Sequence, residues 1–288
     1  MKSIQKIKLA VIAIVIFASC NENEVTPDNS SDVMGLQQSK QVVAYPLPLP
    51  EVKVDKIGKQ EKQAGSWINI SGCGRDIAIG STGDIAMVGC NRKIYRYINN
   101  TWQVDHPSQN VNSLTVDPWG RIYITNSSNE IWVDTDPNSN TNPWQRIAGH
   151  AIDIEASANG DLYCAGTNNK VFKYNYYNNT WTEVPGSSSV VRISADYYGT
   201  PVISNTQGRV WKYDAGSSWQ HLAGIASDIA VNRANLHATG SNGKVYWYDF
   251  FANNWVEIGG AQNAIKIAVN IDDNPWVIVA GGAIFKRQ

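Results

Sequence analysis

Seven aromatic residues stand in predicted turns, away from the positions at which aromatic residues recur along the chain. Asn or Asp lies within a few residues of every one of them. A flat ring beside amides and carboxylates suits a sugar, because the ring meets its C–H face and the polar groups meet its hydroxyls. The rings could instead fold back and fill their turns, and this alternative stays open here. The seven residues are Trp119, Tyr176, Tyr177, Tyr197, Tyr198, Phe250 and Phe251.

Residues that could support catalysis or metal binding are sparse. The chain has four His and four Cys, and no His has a Cys or a carboxylate at the spacing of metal ligands. Sequences typical of a nucleophile elbow, a phosphate-binding loop or a calcium loop do not occur. We therefore expect binding without catalysis, cofactor or metal. A formal charge of −1 argues against a nucleic-acid partner, because phosphate neutralisation needs an excess of Lys and Arg.

Residues 64–288 hold six copies of one repeat, and these copies must position the turns. Trp recurs at 67, 102, 144, 181, 219 and 255, with spacings from 35 (102 − 67) to 42 (144 − 102). Each copy contains four short runs of alternating apolar and polar residues, separated by Gly, Asn, Asp and Pro. Four strands in each of six repeats are typical of the blades of a β-propeller.

The predicted fold is therefore all-β, a six-bladed β-propeller with four antiparallel strands, A to D, in each blade. The Trp runs are predicted to be outer D strands. The first of them, at Trp67, has no preceding strands, and the last copy ends on a third strand at Phe285. We predict that the N-terminal outer strand completes the last blade and closes the ring, which removes the free sheet edges.

One polar position at the start of each predicted A strand changes charge around the ring. Arg and Lys alternate there with Asp, so we predict a structural network of ion pairs between blades. A ligand site at this position is the alternative. The position reads Asp76, Ser113, Asp153, Arg192, Asp228 and Lys266.

Cys73 and Cys90 lie symmetrically about the predicted turn at residues 81–83. They are expected to face each other at the open end of a hairpin, and an exported protein permits a disulfide there. Opposed cysteines satisfy the distance limits only in some strand pairings, so a disulfide and two free thiols both remain open.

The N-terminus has the organisation of a secretory signal: three Lys, an apolar run at residues 9–17 and then small residues. The run is shorter than the roughly 20 residues that span a bilayer. Phe17-Ala18-Ser19-Cys20 resembles the lipobox of bacterial lipoproteins, which implies cleavage before Cys20 and lipidation of its thiol. An ordinary signal peptide is the alternative. We predict a signal peptide at 1–19.

Residues 20–63 show no sustained apolar periodicity. Alternating Pro at 45–50 favours an extended polyproline II stretch. We predict a lipid-anchored flexible stalk, with docking of a partner to the Pro stretch as the alternative. Asn21-Glu22-Asn23-Glu24 resembles the acidic export tag of surface lipoproteins in the Bacteroides–Flavobacterium group. The expected location is the bacterial outer membrane or cell surface, with the lipid as the one membrane contact.

The repeat resembles the tectonin repeat. One copy reads Trp144-Gln145-Arg146-Ile147-Ala148-Gly149, then Asp153-Ile154, Gly160-Asp161-Leu162-Tyr163 and Lys170-Val171-Phe172-Lys173. The resemblance covers 67–288, although the second copy has Pro107 where the others have Gly. It implies a six-bladed lectin that binds glycans, including bacterial lipopolysaccharide.

The expected function is non-covalent binding of a glycan or lipopolysaccharide by a surface-anchored monomer. The alternative is a protein-interaction scaffold in a complex of the cell envelope. An exposed set of turn aromatics would favour the first function, and a contiguous apolar patch would favour the second.

Overall fold

The computed structural model describes residues 65–106, 110–137, 144–214, 218–233 and 235–288. The predicted signal peptide, the predicted stalk and the predicted lipidation site Cys20 lie outside these ranges. All regular elements within them are β-strands. No helix in the described ranges is long and apolar enough to cross a membrane.

Within these ranges, twenty-two strands follow one another. The first eleven are β1 Trp67–Ile70, β2 Gly74–Ile79, β3 Ile85–Gly89, β4 Ile94–Ile98, β5 Thr101–His106, β6 Val111–Val116, β7 Ile122–Asn126, β8 Glu130–Asp134, β9 Trp144–Ala156, β10 Leu162–Gly166 and β11 Val171–Asn175. The others are β12 Thr180–Glu183, β13 Val190–Ala195, β14 Pro201–Asn205, β15 Arg209–Asp214, β16 Ser218–Asn232, β17 Asn235–Gly240, β18 Val245–Asp249, β19 Asn254–Ile258, β20 Ala264–Val269, β21 Pro275–Val279 and β22 Ile284–Arg287.

The strands form four antiparallel sheets, two with four strands and two with seven. Each seven-stranded sheet holds two sequence repeats that share one long strand. Residues 144–150 of β9 pair with β8, and residues 151–156 pair with β10. In the same way, β16 pairs with β15 through its first part and with β17 through its second.

We number the repeats by their strands and keep the letters A to D for their order within a repeat. The first repeat is β2–β5, and the second is β6–β8 with the start of β9. The third is the end of β9 with β10–β12, and the fourth is β13–β15 with the start of β16. The fifth is the end of β16 with β17–β19, and the sixth is β20–β22.

Strand β1 pairs with β22 in antiparallel register, from Trp67 opposite Arg287 to Ile70 opposite Ile284. The sixth repeat therefore gains its D strand from the N-terminal side of the domain.

A Gly that lies five residues after a D-strand Trp packs against the D-strand Trp of the next repeat, and this contact joins the two repeats. A Cβ at Gly149 would lie 3.1 Å from Nε1 of Trp181 in the next repeat, and one at Gly260 would lie 2.8 Å from the Trp67 ring. Both glycines have a positive φ, of 106° and 92°. The Trp181 Nε1–H donates to the Ala148 carbonyl at 2.7 Å. These Trp rings therefore fill the spaces between repeats, as packing requires.

The polar positions at the start of the A strands form the predicted ion-pair network. Lys266 Nζ lies 2.8 Å from Asp76 and 3.9 Å from Asp228, and Arg192 Nε lies 3.3 Å from Asp228. Asp228 also accepts the backbone N–H of Ile267 in the next repeat at 2.9 Å. The predicted network is confirmed, and its bonds connect neighbouring repeats.

Glu155 lies on the A strand of the third repeat, two residues beyond Asp153. Its carboxylate accepts hydrogen bonds from Thr115 Oγ1 at 3.1 Å and Ser194 Oγ at 3.0 Å, so it links three repeats. These side chains line a cavity of about 50 Å³ between the A strands. Burial raises the pKa of Glu155 to about 8, and the nearby Asp153 carboxylate adds to the shift.

Glu155→Gln should stabilise the protein in alkaline solution. Between the ordinary carboxyl pKa of 4.5 and about 8, the folded state holds a proton that the unfolded state has released. The native protein should therefore lose stability as pH rises through this window, by at most about 1.4 kcal/mol per pH unit. A polar cavity of this size has room for water, which would screen the charge. We therefore expect the variant to gain about 1–3 kcal/mol at pH 9 and little at pH 4.5.

Urea unfolding at pH 4.5, 7 and 9 measures this difference. Glu183→Gln is the matched control, because Glu183 forms an exposed ion pair with Lys170 at 2.8 Å and its loss should cost less than about 1 kcal/mol. If Glu155→Gln raises the free energy of unfolding by the same amount at all three pH values, the pKa of Glu155 is not raised by burial.

Candidate functional site

The turns that join A to B strands and C to D strands lie at one end of the repeats, which we call the turn face. Contacts between the two kinds of turn show their proximity. The Tyr176 hydroxyl, in a C–D turn, donates to the Gly160 carbonyl, in an A–B turn, at 3.2 Å. Arg96 Nη1, on the C strand β4, donates to the Gly120 carbonyl in the A–B turn of the second repeat at 2.9 Å. All seven aromatic residues that the sequence singled out lie in turns of this face.

Four of these turns are built in the same way. In each, an Asp or Asn side-chain oxygen accepts the backbone N–H of the aromatic residue two positions later, which is an Asx turn. The four N–H to oxygen distances are 2.9 Å for Trp119 and Asp117, 3.0 Å for Tyr198 and Asp196, 2.9 Å for Tyr177 and Asn175, and 2.8 Å for Phe251 and Asp249. One oxygen of each flanking Asp or Asn is therefore committed to its own turn.

The aromatic residue at the second position after the Asp or Asn projects into solvent in three of these turns. Tyr177 is 84% exposed, Tyr198 is 75% exposed and Phe251 is 96% exposed. Trp119, in the fourth turn, is half-buried, with the Arg121 guanidinium 5.4 Å from its ring centre. The Asx turn thus presents a ring outward on three different repeats.

The aromatic residue just before each exposed ring contacts another side chain. Tyr176 is half-buried and packs on the core cluster that contains Tyr123 of the second repeat. Phe250 is 42% exposed, and the Lys212 ammonium of the fourth repeat lies 4.9 Å from its ring centre. Tyr197 is half-buried and meets Tyr198 edge to face at 5.2 Å. The turn aromatics therefore divide into rings exposed to solvent and rings that pack against neighbouring side chains.

A groove of about 650 Å³ opens between the third and fourth repeats, and we call it the 3/4 groove. Five tyrosines contribute to it, together with two prolines and a Lys173–Asp161 ion pair of 2.8 Å. Its size is within the range of small-molecule sites. Its lining is Asp161, Tyr163, Lys173, Tyr174, Asn175, Tyr176, Tyr177, Thr182, Glu183, Val184, Pro185, Gly199, Thr200, Pro201 and Tyr213.

The 3/4 groove brings together only two of the predicted residues, Tyr176 and Tyr177. Sequence reasoning missed Tyr163, Tyr174 and Tyr213, because they stand at strand positions where a large side chain is expected in the core. Tyr163 and Tyr174 are indeed buried, and the Tyr163 hydroxyl donates to the Gly199 carbonyl at 2.7 Å. Burial raises the pKa of Tyr163, and it raises that of Tyr174 to about 12, so both phenols are neutral at physiological pH.

Cysteine and metal positions complete the survey of the site. Cys73 and Cys90 form a disulfide in the first repeat, and Cys164 is a buried thiol. Within the described ranges, no group of three or more His, Cys, Asp or Glu side chains is arranged to hold a metal ion.

Two solved structures share this architecture. A protein of unknown function from Bacteroides thetaiotaomicron aligns with a TM-score of 0.59 and 13% identity, over 78% of this chain and 76% of its own. A structure described as YCF48 bound to D1 peptide aligns with a TM-score of 0.50 and 14% identity, over 81% and 85%. At such identities the likeness shows the fold alone, a propeller-like all-β domain.

Family comparison covers most of the chain. The tectonin domain matches residues 24–227 and 110–288, so that the matched region includes the described ranges and begins within the predicted stalk. No curated protein matches the sequence. On the extent of the domain match, the chain belongs to the tectonin domain family.

Proposed function

We propose that this protein binds a glycan or lipopolysaccharide non-covalently through the turn face of its β-propeller. One observation carries the proposal: three aromatic rings from three repeats, Tyr177, Tyr198 and Phe251, stand exposed on the same face in the same turn conformation. An exposed ring offers a stacking surface for the C–H face of a sugar. Several weak contacts of this kind on one ligand would add through effective concentration.

The repeats act in this proposal as the six blades of a closed ring. The contacts of the A strands support closure, because they run in a cycle: β2 contacts β6, then β9, β13, β16 and β20 follow, and β20 contacts β2 again. The pairing of β1 with β22 supplies the outer strand of the last blade. A closed ring would hold the three exposed rings at fixed separations.

We also propose that the domain is carried on a surface lipoprotein and that it works by binding. Membership of the tectonin family supports a binding role, since such domains are typically not enzymes. The lipobox-like sequence ending at Cys20 supports lipid anchoring at the outer membrane or cell surface. A protein scaffold in the cell envelope is the second candidate, and the apolar lining of the 3/4 groove favours it.

Replacing the exposed rings should abolish glycan binding without affecting the fold. We expect selective binding of the Cys20→Ala protein to a glycan and lipopolysaccharide array. In the triple variant Tyr177→Ala, Tyr198→Ala, Phe251→Ala that signal should fall at least tenfold, because stacking on an aromatic ring is lost at three contacts.

Val104→Ala with Val256→Ala is the matched control, since both residues are exposed on outer strands at 57% and 39%. The control should keep full binding. Undiminished binding by the triple variant would move the site away from these rings. No binding by the folded parent protein would favour the scaffold.

A further inference from the structure

At two places on the turn face, an aromatic residue from a C–D turn contacts the preceding repeat. Tyr176 of the third repeat packs towards Tyr123 and lies 5.0 Å from Tyr174, ring centre to ring centre. Phe250 of the fifth repeat lies 4.9 Å from Tyr248, over Lys212 of the fourth repeat. Each ring comes from the residue two positions after the last Tyr of strand C.

The fourth repeat carries no such ring. Its C–D turn reads Asp214-Ala215-Gly216-Ser217-Ser218, where the third reads Asn175-Tyr176-Tyr177-Asn178-Asn179-Thr180. Residues 215–217 lie outside the described ranges, but their composition excludes an aromatic filler from this turn. The 3/4 groove is the space that faces this repeat, and it is lined by Tyr213 of the fourth repeat and Tyr163 and Lys173 of the third.

We propose that the chain's own Tyr45-Pro46-Leu47-Pro48 segment occupies the 3/4 groove. Tyr45 would take the place that Tyr176 takes between the second and third repeats and that Phe250 takes between the fourth and fifth. Tyr45 is the one aromatic residue between positions 18 and 64. Proline-rich segments in the polyproline II conformation bind grooves lined by aromatic side chains, and they lose little entropy on binding. The tyrosines and prolines that line the 3/4 groove suit this chemistry.

The length of the connecting chain permits this docking. Twenty residues separate Tyr45 from Gly65 (65 − 45), and they span at most about 66–72 Å when extended. A compact domain of 224 residues (65–288) has a radius of gyration of about 17 Å, or roughly 45 Å across. The connection also enters on the correct side, because Trp67 at the start of β1 pairs with Arg287 at the C–D end of β22.

Docking would shorten the tether between domain and membrane and would leave the exposed rings of Tyr198 and Phe251 free. The inference therefore goes beyond the proposed glycan binding and does not depend on it. A short flexible tether gives a docked segment an effective concentration near the millimolar range, so even a weak contact would be populated.

Disulfide trapping in the full chain tests the proposal. The parent carries Cys20→Ala, and Leu47→Cys is combined with Thr182→Cys, which lines the groove. The control combines Leu47→Cys with Val256→Cys, the same strand position in the fifth repeat. In a glutathione redox buffer, we expect the Thr182→Cys pair to cross-link at least tenfold faster than the control pair. Adding Tyr45→Ala should reduce its rate to that of the control.

Equal rates for the two pairs would overturn the proposal, and they are the result expected if a sugar or a partner's aromatic side chain occupies the groove. A fast rate that survives Tyr45→Ala would also overturn it, because the tyrosine would then have no part in docking. Circular dichroism of each variant establishes that the rates compare folded proteins.

Discussion

A chain in which residues 67–70 are replaced by Gly-Ser-Gly-Ser should lose most of its stability. The replacement removes the strand β1, which pairs with β22 over four residues. It also removes the Trp67 ring, whose Nε1–H donates to the Gly259 carbonyl at 2.8 Å, and the buried side chain of Ile70. Truncating a packed Ile costs about 2–5 kcal/mol and truncating a packed Trp about 3–5 kcal/mol, so the two together should cost at least about 5 kcal/mol.

That loss is comparable to the whole stability of a typical domain, which is about 5–15 kcal/mol. Since 1 kcal/mol corresponds to about 2–4 °C for a domain of this size, the midpoint of thermal unfolding should fall by at least about 10–20 °C. The free edge of β22 should also promote aggregation. Calorimetry of the full chain measures the shift.

The matched control replaces residues 59–62 by the same four residues. These positions read Lys-Gln-Glu-Lys, with no apolar residue among them, so their replacement should leave the midpoint within about 2 °C of the parent. A β1 replacement that melts at the parent temperature would show that the N-terminal strand does not complete the sixth repeat.

Lys266→Met should destabilise the folded state by about 3–5 kcal/mol near pH 8, because it leaves two buried carboxylates without their cation. The ammonium lies 2.8 Å from Asp76 and 3.9 Å from Asp228, and its side chain is only 14% exposed. Burial lowers the pKa of Lys266, but Asp228 and Asp76 outweigh it and hold the pKa above its usual value. Burial raises the pKa of Asp228 to about 6.

The pH dependence gives this prediction a second readout. Below about pH 6, Asp228 takes up a proton in the folded state, so the penalty of the missing ammonium should shrink between pH 8 and pH 5. Adding Asp76→Asn to Lys266→Met should recover part of the lost stability at pH 8, because one of the two unpaired carboxylates is removed. Urea unfolding at both pH values measures these differences.

Lys244→Met controls for the loss of an exposed cation. Lys244 pairs with Glu257 at 2.8 Å, and both side chains are over 40% exposed. Its loss should change the stability little, because an exposed ion pair is screened by solvent. If Lys266→Met costs no more than Lys244→Met, the inner network does not hold neighbouring repeats together.

Much of the fold could be predicted from the repeat alone. The period of the Trp residues and the alternating runs predicted the all-β architecture, and the unpaired run at Trp67 predicted its pairing with the last strand. The continuous strands β9 and β16 were not predicted. A Gly such as Gly149 indicated a break between the D and A strands. In the structure the strand continues through Gly149, and its positive φ coincides with an irregularity in the strand pairing.

The candidate site was predicted less well, for two physical reasons. The polar residues beside the rings were considered only for contacts with sugar hydroxyls, whereas Asp196 and Asp249 each use an oxygen to hold a turn and so present a later ring. The 3/4 groove was missed because Tyr213 stands at a repeat position that elsewhere packs in the core. The signal that could have found it is a difference between repeats, the Ala215-Gly216 pair where the neighbours have two aromatic residues.

Hydrogen exchange of the full Cys20→Ala chain with purified lipopolysaccharide shows which end of the repeats carries the ligand. We expect slower exchange in the turns 175–180, 196–200 and 249–254, which carry the exposed rings, and no change in the B–C turns 90–93 and 205–209 at the opposite end of the repeats. Protection confined to those B–C turns would contradict the proposed glycan-binding face. Absence of protection throughout the domain would contradict lipopolysaccharide binding itself.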